Sequence, residues 1–193
     1  MIDIRNFPFF SNNQSTLKET SKDDHDGTVC YMTESLLPAI NFDGVKEEYI
    51  RALHVHESPK SNDALVILPN RKAVFIEFKN GKMTDKKVFS VRKKILDSML
   101  IFTDIVGVGI TQTRVQMEYI LVYNEDVNPD PADDPETNIQ SSENRDSITR
   151  IFSRLANEEF VKFGLKAFEK YCFHKVHTYS KEEFERHFVQ SIS

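Results

Sequence analysis

Residues 61–82, SNDALVILPNRKAVFIEFKNGK, carry the clearest structural pattern in the chain. The apolar run DALVIL (63–68) is followed by a polar turn that starts at Pro69, and then by AVFIEFK (73–79), which is rich in β-branched and aromatic residues. Two such runs joined by a short polar connection predict a β-hairpin. This hairpin is the point from which the rest of the fold can be assigned.

Three charged side chains stand inside this otherwise apolar hairpin. Asp63 begins the first strand, and Glu77 and Lys79 lie two residues apart on the second. Because successive side chains alternate across a strand, Glu77 and Lys79 project from one face, and Asp63 can lie opposite them within reach of a shared ion. A charge within an apolar strand is costly unless it is paired or metal-bound. A buried ion pair and a solvent-facing edge strand with alternating polar residues are the structural alternatives.

The remaining patterns mix helices and strands, which predicts an α/β class bordering on α+β. Apolar residues recur every three or four positions over 86–106, which predicts a helix, whereas MEYILVY (117–123) predicts a central strand. Ser180 and Glu183 form a capping box ahead of a final helix ending near Gln190. The other expected elements are a loop over 11–28, a short helix from Thr33 within 29–41, helices over 45–56, 147–157 and 159–170, and a β-rich segment over 171–179.

The composition is that of one globular domain over residues 1–193, with 39% hydrophobic and 28% charged residues. No apolar run approaches the length of a membrane span, and the first residues lack the apolar core of a signal peptide. The two cysteines are far apart and neither begins a CxxC pattern, so a cysteine zinc site is not expected. We therefore expect a reduced, cytoplasmic protein without a membrane partner.

Charge is unevenly distributed along the chain. Residues 60–94 contain ten basic and three acidic residues, a net of +7, although the whole chain carries −5. Residues 124–146 carry a net of −7 and are rich in Pro, Asp and Asn, which predicts a flexible acidic loop. Such asymmetry can focus a polyanion onto one face. A solvated basic helix beside an acidic loop explains the same pattern without a polyanion.

Asp63 and the tripeptide Glu77-Phe78-Lys79, on adjacent strands followed by a basic helix, resemble the PD-(D/E)xK nuclease superfamily. The resemblance covers about residues 45–123 and is specific only within 61–82. It departs from the family pattern at Asn62, where the motif often has Pro. It implies a restriction-endonuclease-like core, a small mixed β-sheet flanked by helices. Members often add an acid from a preceding helix, and Glu48 or Glu47 suits that role, with Glu34 as a second choice.

The resemblance further implies a Mg²⁺-dependent nuclease that acts on DNA rather than RNA, in a bacterial or phage defence setting. Asp63 and Glu77 would hold Mg²⁺, for which Mn²⁺ can substitute, with the Phe78 backbone carbonyl as a further ligand. Lys79 would orient the attacking water or stabilise the developing charge. Cutting both strands calls for a homodimer or a partner subunit. The residues expected to contact nucleic-acid phosphates are Lys82, Lys86, Lys87, Arg92, Lys93 and Lys94.

The alternative is a catalytically inactive nuclease-like module that binds nucleic acid or another protein, which the overall acidity favours. Two further patterns carry weaker hypotheses. His54 with His56, and His174 with His177, lack a third zinc ligand in register. The aromatic residues of 171–179 can stack on bases, but a core or edge strand explains them better.

Overall fold

The computed structural model describes residues 7–24, 27–54, 57–70, 72–129 and 160–192. Its strands are β1 (Gln14–Thr16), β2 (Lys22–Asp23), β3 (Cys30–Tyr31), β4 (Pro38–Asn41), β5 (Ala64–Ile67), β6 (Ala73–Lys79), β7 (Met117–Tyr123) and β8 (Lys175–Ser180). Its helices are α1 (Pro8–Ser11), α2 (Leu17–Thr20), α3 (Phe42–Ala52), α4 (Asp85–Val106), α5 (Ile110–Gln116), a 3₁₀ turn (Leu165–Phe168), α6 (Lys181–Phe184), a π-helical turn (Glu185–Val189) and α7 (Gln190–Ile192).

A six-stranded mixed sheet in the order β1-β4-β5-β6-β7-β8 organises the molecule, and β2 pairs with β3 apart from it. The pairs from β1 to β6 are antiparallel, whereas β6, β7 and β8 run parallel. Helices pack on the sheet, so the expected α/β class with a small mixed sheet is confirmed. Because β5 runs against β6, the start of β5 and the carboxyl ends of β6 and β7 meet at one edge, here named the site edge.

Each face of the sheet has its own apolar layer. On the first face, Phe75 of β6 packs edge-to-face on Phe42 of α3 at 4.8 Å between ring centroids, and the buried Ile95 and Phe102 of α4 complete this layer. On the second face, Phe78 packs against Phe184 of α6 at 5.7 Å. Phe75 and Phe78 stand three positions apart on β6 and pack into opposite layers, as the alternation of side chains along a strand requires.

The predicted hairpin is confirmed. Ala64 pairs with Ile76 and Ile67 with Ala73, and the backbone N–H of Leu68 closes the connection by donating to the carbonyl of Lys72 at 2.9 Å. The local pattern was sufficient here because alternation, turn chemistry and burial all favour the same register.

The predicted helix over 86–106 is confirmed as α4. The Thr84 hydroxyl accepts the backbone N–H of Lys87 at the amino end, and Gly107 ends the helix in the left-handed region at φ 70°. Gly tolerates that conformation because it has no Cβ. The strand over 117–123 is confirmed with the same bounds as β7, and the Ser180–Glu183 capping box precedes the final helical segment as expected.

Three local predictions are wrong. Residues 29–41 contain no helix but two short strands, and Pro38 begins β4 at its exposed end instead of disturbing a helix. The supposed loop over 11–28 contains β1, α2 and β2. The helix over 159–170 is wrong among its described residues, where only the 3₁₀ turn is helical, because Phe163, Gly164 and Lys170 all adopt positive φ.

Two predictions fall partly or wholly outside the described residues. These are the helix over 147–157 and residues 130–146 of the acidic loop.

The described start of that loop is hydrogen-bonded to the end of β6. Asn124 donates from its backbone to the Lys79 carbonyl at 3.0 Å and from its side chain to Asn80 at 2.9 Å. Of the β-rich segment predicted over 171–179, the part that forms a strand belongs to β8 (Lys175–Ser180). The helix predicted over 45–56 is α3, which begins earlier, at Phe42, and ends at Ala52.

Within the described part of the chain, no single helix is both long and apolar enough to cross a membrane. The helices α4 and α5 pass that test only when taken together, and the chain bends by 104° between them.

Candidate active site

Asp63 and Glu77 face each other across β5 and β6 at the site edge. Extending the register of Ala64 with Ile76 by one position places Asp63 opposite Glu77, so both side chains lie on the face that α4 covers. The carboxylate of Asp63 also accepts the backbone N–H of Phe78 at 2.7 Å through Oδ2. That hydrogen bond fixes the Asp63 carboxylate against β6, the strand that carries Glu77.

Lys79 completes a group of three side chains on this face. Its ammonium forms an ion pair with Glu77 Oε1 and donates to the Phe78 carbonyl at 3.2 Å. Glu77 has no exposed surface, whereas the Lys79 side chain is 21% exposed. The structure therefore brings Asp63, Glu77 and Lys79 together, with a wholly buried acid at the centre and a lysine that reaches solvent.

A second lysine enters the group from α4. The ammonium of Lys94 lies 2.9 Å from Asp63 Oδ1 and 2.7 Å from Glu77 Oε1, so it bridges the two carboxylates. The sequence predicts Lys94 as one of the phosphate-contacting residues on the helix surface. Its side chain is only 18% exposed and belongs to the interior of the site instead.

Helix periodicity explains why Lys94 points inward. Ser98, four residues further on, is its neighbour on the helix surface and is fully buried. The Ser98 hydroxyl accepts the backbone N–H of Asn62 at 2.8 Å, which fixes α4 against the chain immediately before Asp63. Lys94 and Ser98 therefore both face the start of β5, where Ser98 contacts Asn62 and Lys94 contacts Asp63.

The electrostatics of the site are dominated by burial and by close charges. Burial, and then the neighbouring charge of Asp63, raise the pKa of Glu77, whereas Lys79 and Lys94 act against that rise. For Lys94, burial favours the neutral form, but attraction to Glu77 and Asp63 outweighs it and raises the pKa above the usual lysine range. Lys94 is therefore a permanent cation, held between two acids of which one is costly to ionise.

Several buried polar atoms around this group have no hydrogen-bond partner among the described residues. They include Glu77 Oε2, the hydroxyl of Tyr119 and the side-chain amide of Asn62. Burial first, and then the charges of Glu77 and Asp63, raise the pKa of Tyr119 well above its ordinary value. Unpaired buried polar atoms usually accompany a water, an ion or a functional role.

The donor set fits a hard divalent cation. Two carboxylates already share one cationic group, Glu77 Oε2 has a free acceptor position, and the Phe78 carbonyl lies beside them. Mg²⁺ commonly binds one or two carboxylates and keeps several waters, so two carboxylates lie within the range of ligands that it uses. Within the described residues, no cluster of three His, Cys, Asp or Glu side chains has a metal-binding arrangement, so a third protein ligand would be the carbonyl.

The acids proposed as auxiliary ligands make other contacts. Glu48 accepts hydrogen bonds from the side-chain amides of Asn12 and Asn13, both at 3.1 Å, at the amino-terminal segment. Glu47 pairs with Lys46, and Glu34 pairs with Lys18. These partners differ from those of Asp63 and Glu77. The structure therefore does not place Glu34, Glu47 or Glu48 in the group around Asp63 and Glu77.

The basic residues expected to contact phosphates do not share one surface. Lys93 pairs with Asp97 at 2.8 Å, and Arg92 donates to the Gly164 carbonyl at 3.3 Å. Lys87 lies seven residues before Lys94, so it is on the same side of α4, and a Cβ built on Gly81 would meet its ammonium at 2.5 Å. Lys82 and Lys86 are also exposed. Of this set, Lys87 is an exposed cation whose ammonium lies beside Gly81, two residues after the end of β6.

Sequence reasoning missed two features of the site edge. The first is the bridging position of Lys94, which depends on the docking of α4 beside the start of β5. Lys162 lies with its ammonium 4.4 Å from the ring centroid of Tyr123, the residue that pairs with Lys79 across β6 and β7. No sequence pattern near Lys162 indicates this placement.

The histidine hypothesis gains no support from the described residues. His54 is exposed with a φ of 54°, His56 lies outside the described residues, and His174 is exposed. His177 contacts the Tyr179 hydroxyl at 3.0 Å through Nδ1. Both cysteines, Cys30 and Cys172, are free thiols.

Comparison with protein-family models, with curated proteins and with solved structures finds no match to this chain.

Proposed function

We propose that this protein is a Mg²⁺-dependent nuclease that hydrolyses phosphodiester bonds, with DNA as the favoured substrate. The observation that supports this most is the convergence of Asp63, Glu77 and Lys79 at the site edge, with Glu77 wholly buried. A buried acid beside a second acid is expensive for folding alone, and such groups are concentrated at functional sites.

Each residue of the site has a chemical role in this proposal. Asp63, Glu77 and the Phe78 carbonyl would hold Mg²⁺, which when bound supplies a polarised water and offsets charge on the phosphate. Lys79, whose side chain is partly exposed, would donate to the phosphate oxygen on which negative charge develops. The Phe78 N–H keeps Asp63 oriented, so the acid does not have to be ordered when substrate arrives.

The substrate would approach from the side of α4 where Lys87 reaches solvent. A single centre of this size cuts one strand at a time, so cutting both strands calls for a homodimer or a partner subunit. The free thiols are in keeping with a cytoplasmic setting. A bacterial or phage defence role stays an expectation from the PD-(D/E)xK resemblance.

A second candidate function is a non-cleaving nuclease-like module that binds nucleic acid or a protein. The observation that favours it is the Lys94 bridge, which places an ammonium between the two carboxylates that a metal would share. A site already neutralised by lysines has no electrostatic need for a divalent ion.

Cleavage assays separate the two functions. Purified protein is incubated with supercoiled plasmid, circular single-stranded DNA and RNA, in Mg²⁺, Mn²⁺ or EDTA. The nuclease proposal expects metal-dependent cleavage by the wild type that EDTA stops, with cleavage by Lys79→Met lowered by about 100-fold or more while DNA binding is retained. Binding without cleavage under every metal condition would support the non-cleaving module and contradict the nuclease.

A further inference from the structure

Lys94 occupies a position inside the site that no phosphate contact accounts for. Its ammonium lies 2.9 Å from Asp63 Oδ1 and 2.7 Å from Glu77 Oε1, and therefore stands between the two carboxylates. Because Asp63 Oδ2 accepts the Phe78 N–H, a cation that binds both acids at once would use Asp63 Oδ1, the oxygen that Lys94 contacts. Lysine and metal are thus alternative occupants of one site.

We infer that Lys94 is an internal counter-ion that competes with the divalent cation, and that metal binding displaces its ammonium from the two carboxylates. This inference rests on the proposed metal-dependent function. Lys94 thereby controls how tightly the site binds metal. In the metal-free protein, its ammonium neutralises the carboxylates of Asp63 and Glu77.

The metal-free state explains why such a counter-ion is needed. Glu77 is fully buried, and Asp63 places a like charge beside it. Two unpaired carboxylates in this position would be strongly destabilising, as buried charges without partners generally are. Lys79 pairs with Glu77, whereas Lys94 contacts both carboxylates, so Lys94 is the cation that neutralises Asp63 and Glu77 together.

The surroundings allow Lys94 to move while α4 stays in place. The backbone of α4 at this point is held by the Ser98 hydroxyl, which accepts from Asn62, and by the buried Ile95. The Lys94 side chain has four rotatable methylene units and is 18% exposed, so its ammonium can leave the carboxylates without unfolding the helix. Glu77 Oε2, without a partner among the described residues, leaves an acceptor open to an incoming cation.

The displaced ammonium remains useful to the reaction. Lys87 and Lys94 lie on the same side of α4, so a released Lys94 would add a second positive charge on the side from which a phosphate approaches. Metal binding would then convert an internal ion pair into a substrate-binding cation.

The test measures Mn²⁺ binding by electron paramagnetic resonance and Mg²⁺ binding by calorimetry, with no nucleic acid present. The variants are Lys94→Met, Lys94→Gln and Lys94→Arg. Lys93→Met is the matched control, because Lys93 is the adjacent residue and pairs with Asp97 on α4. We expect Lys94→Met and Lys94→Gln to bind metal roughly tenfold tighter or more, because their carboxylate pair has lost its counter-ion. Lys94→Arg and Lys93→Met should bind like the wild type.

The outcomes distinguish this inference from the proposed function. Metal binding by the wild type with unchanged or weaker affinity in Lys94→Met and Lys94→Gln would overturn the inference and leave the nuclease proposal standing. Absence of metal binding in every folded variant would overturn both. If the neutral variants do not fold, the wild type decides the matter through ¹⁵N-lysine spectra, in which the Lys94 ammonium signal is assigned as the one that Lys94→Arg lacks. The wild type should show this signal as ion-paired, and Mg²⁺ should abolish it. A signal unchanged at saturating Mg²⁺ would overturn the inference.

Discussion

The carboxylate of Asp63 accepts the backbone N–H of Phe78 at 2.7 Å, which joins the start of β5 to the end of β6 at the residue between Glu77 and Lys79. The Asp63 side chain thus fixes the register of β5 and β6 beside Glu77 and Lys79. The other Asp63 oxygen contacts Lys94. Replacing this residue tests the chemistry of the site with little disturbance of the hairpin, provided that the substitute can still accept the Phe78 hydrogen bond.

Asp63→Asn should reduce metal-dependent cleavage by about 100-fold or more, because the amide oxygen can still accept the Phe78 N–H but the charge that binds the cation is lost. The measurement is the rate of plasmid nicking in Mg²⁺, with circular dichroism to verify the fold. Asp97→Asn is the control, since Asp97 pairs with Lys93 on α4. Cleavage by Asp63→Asn at the wild-type rate would show that Asp63 has no part in the reaction.

Glu77→Gln should lower the melting temperature of the metal-free protein by several degrees, at about 2–4 °C for each kcal/mol lost in a chain of this length. The physical reason is that Lys79 and Lys94 both pair with Glu77 Oε1, and removing one partner of a buried ion pair leaves the remaining charges uncompensated. Differential scanning calorimetry measures the change. Glu118→Gln, which removes the acid that pairs with Lys72 at 3.0 Å, is the control. An unchanged or raised melting temperature in Glu77→Gln would contradict an ionised, lysine-paired Glu77 in the folded protein.

Metal binding should weaken on acidification at a higher pH than for an ordinary glutamate site. Burial and Asp63 raise the pKa of Glu77, and a cation requires the ionised carboxylate. Affinity is therefore full above the raised pKa and is lost as the pH falls through it. Calorimetric Mg²⁺ titrations across the acid range, with fluorescence to establish that the protein stays folded, measure this midpoint. A midpoint at or below about 4.3, the usual glutamate pKa, would contradict the assigned environment.

The surface of α4 that faces nucleic acid should be the side of Lys87, not that of Lys93. Lys87→Ala should weaken DNA binding and lower the slope of log affinity against log salt by about 1, because one phosphate contact is lost. Lys93→Ala should leave both quantities nearly unchanged, since Lys93 already pairs with Asp97. Fluorescence anisotropy at several salt concentrations makes the comparison. Equal effects of the two substitutions would place the binding surface elsewhere.

The hairpin and the placement of its charged residues could be predicted because the information is local. Strand alternation alone puts Glu77 and Lys79 on one face, and the short turn brings Asp63 opposite them. The long helix α4 could likewise be predicted from the period of its apolar residues. These elements need no knowledge of distant parts of the chain.

The parts that could not be predicted depend on tertiary contacts. Lys94 has the same sequence surroundings as its neighbours Arg92 and Lys93. Only the docking of α4 beside β5 makes Lys94 a buried bridge between carboxylates and leaves its two neighbours as surface charges. The short strand β4 begins at Pro38, and its pairing with β5 overrides the helical appearance of 29–41. Phe163 and Lys170 adopt positive φ without being glycine, which local propensity does not anticipate.

The most direct test is a crystal structure of the wild type soaked in Mn²⁺, with anomalous data collected at a wavelength where manganese scatters. The account predicts an anomalous peak in contact with the carboxylates of Asp63 and Glu77, with the Lys94 ammonium moved away from both. A crystal that shows no peak between these acids at saturating Mn²⁺, with Lys94 still bridging them, would contradict the claim that they form a divalent-cation site.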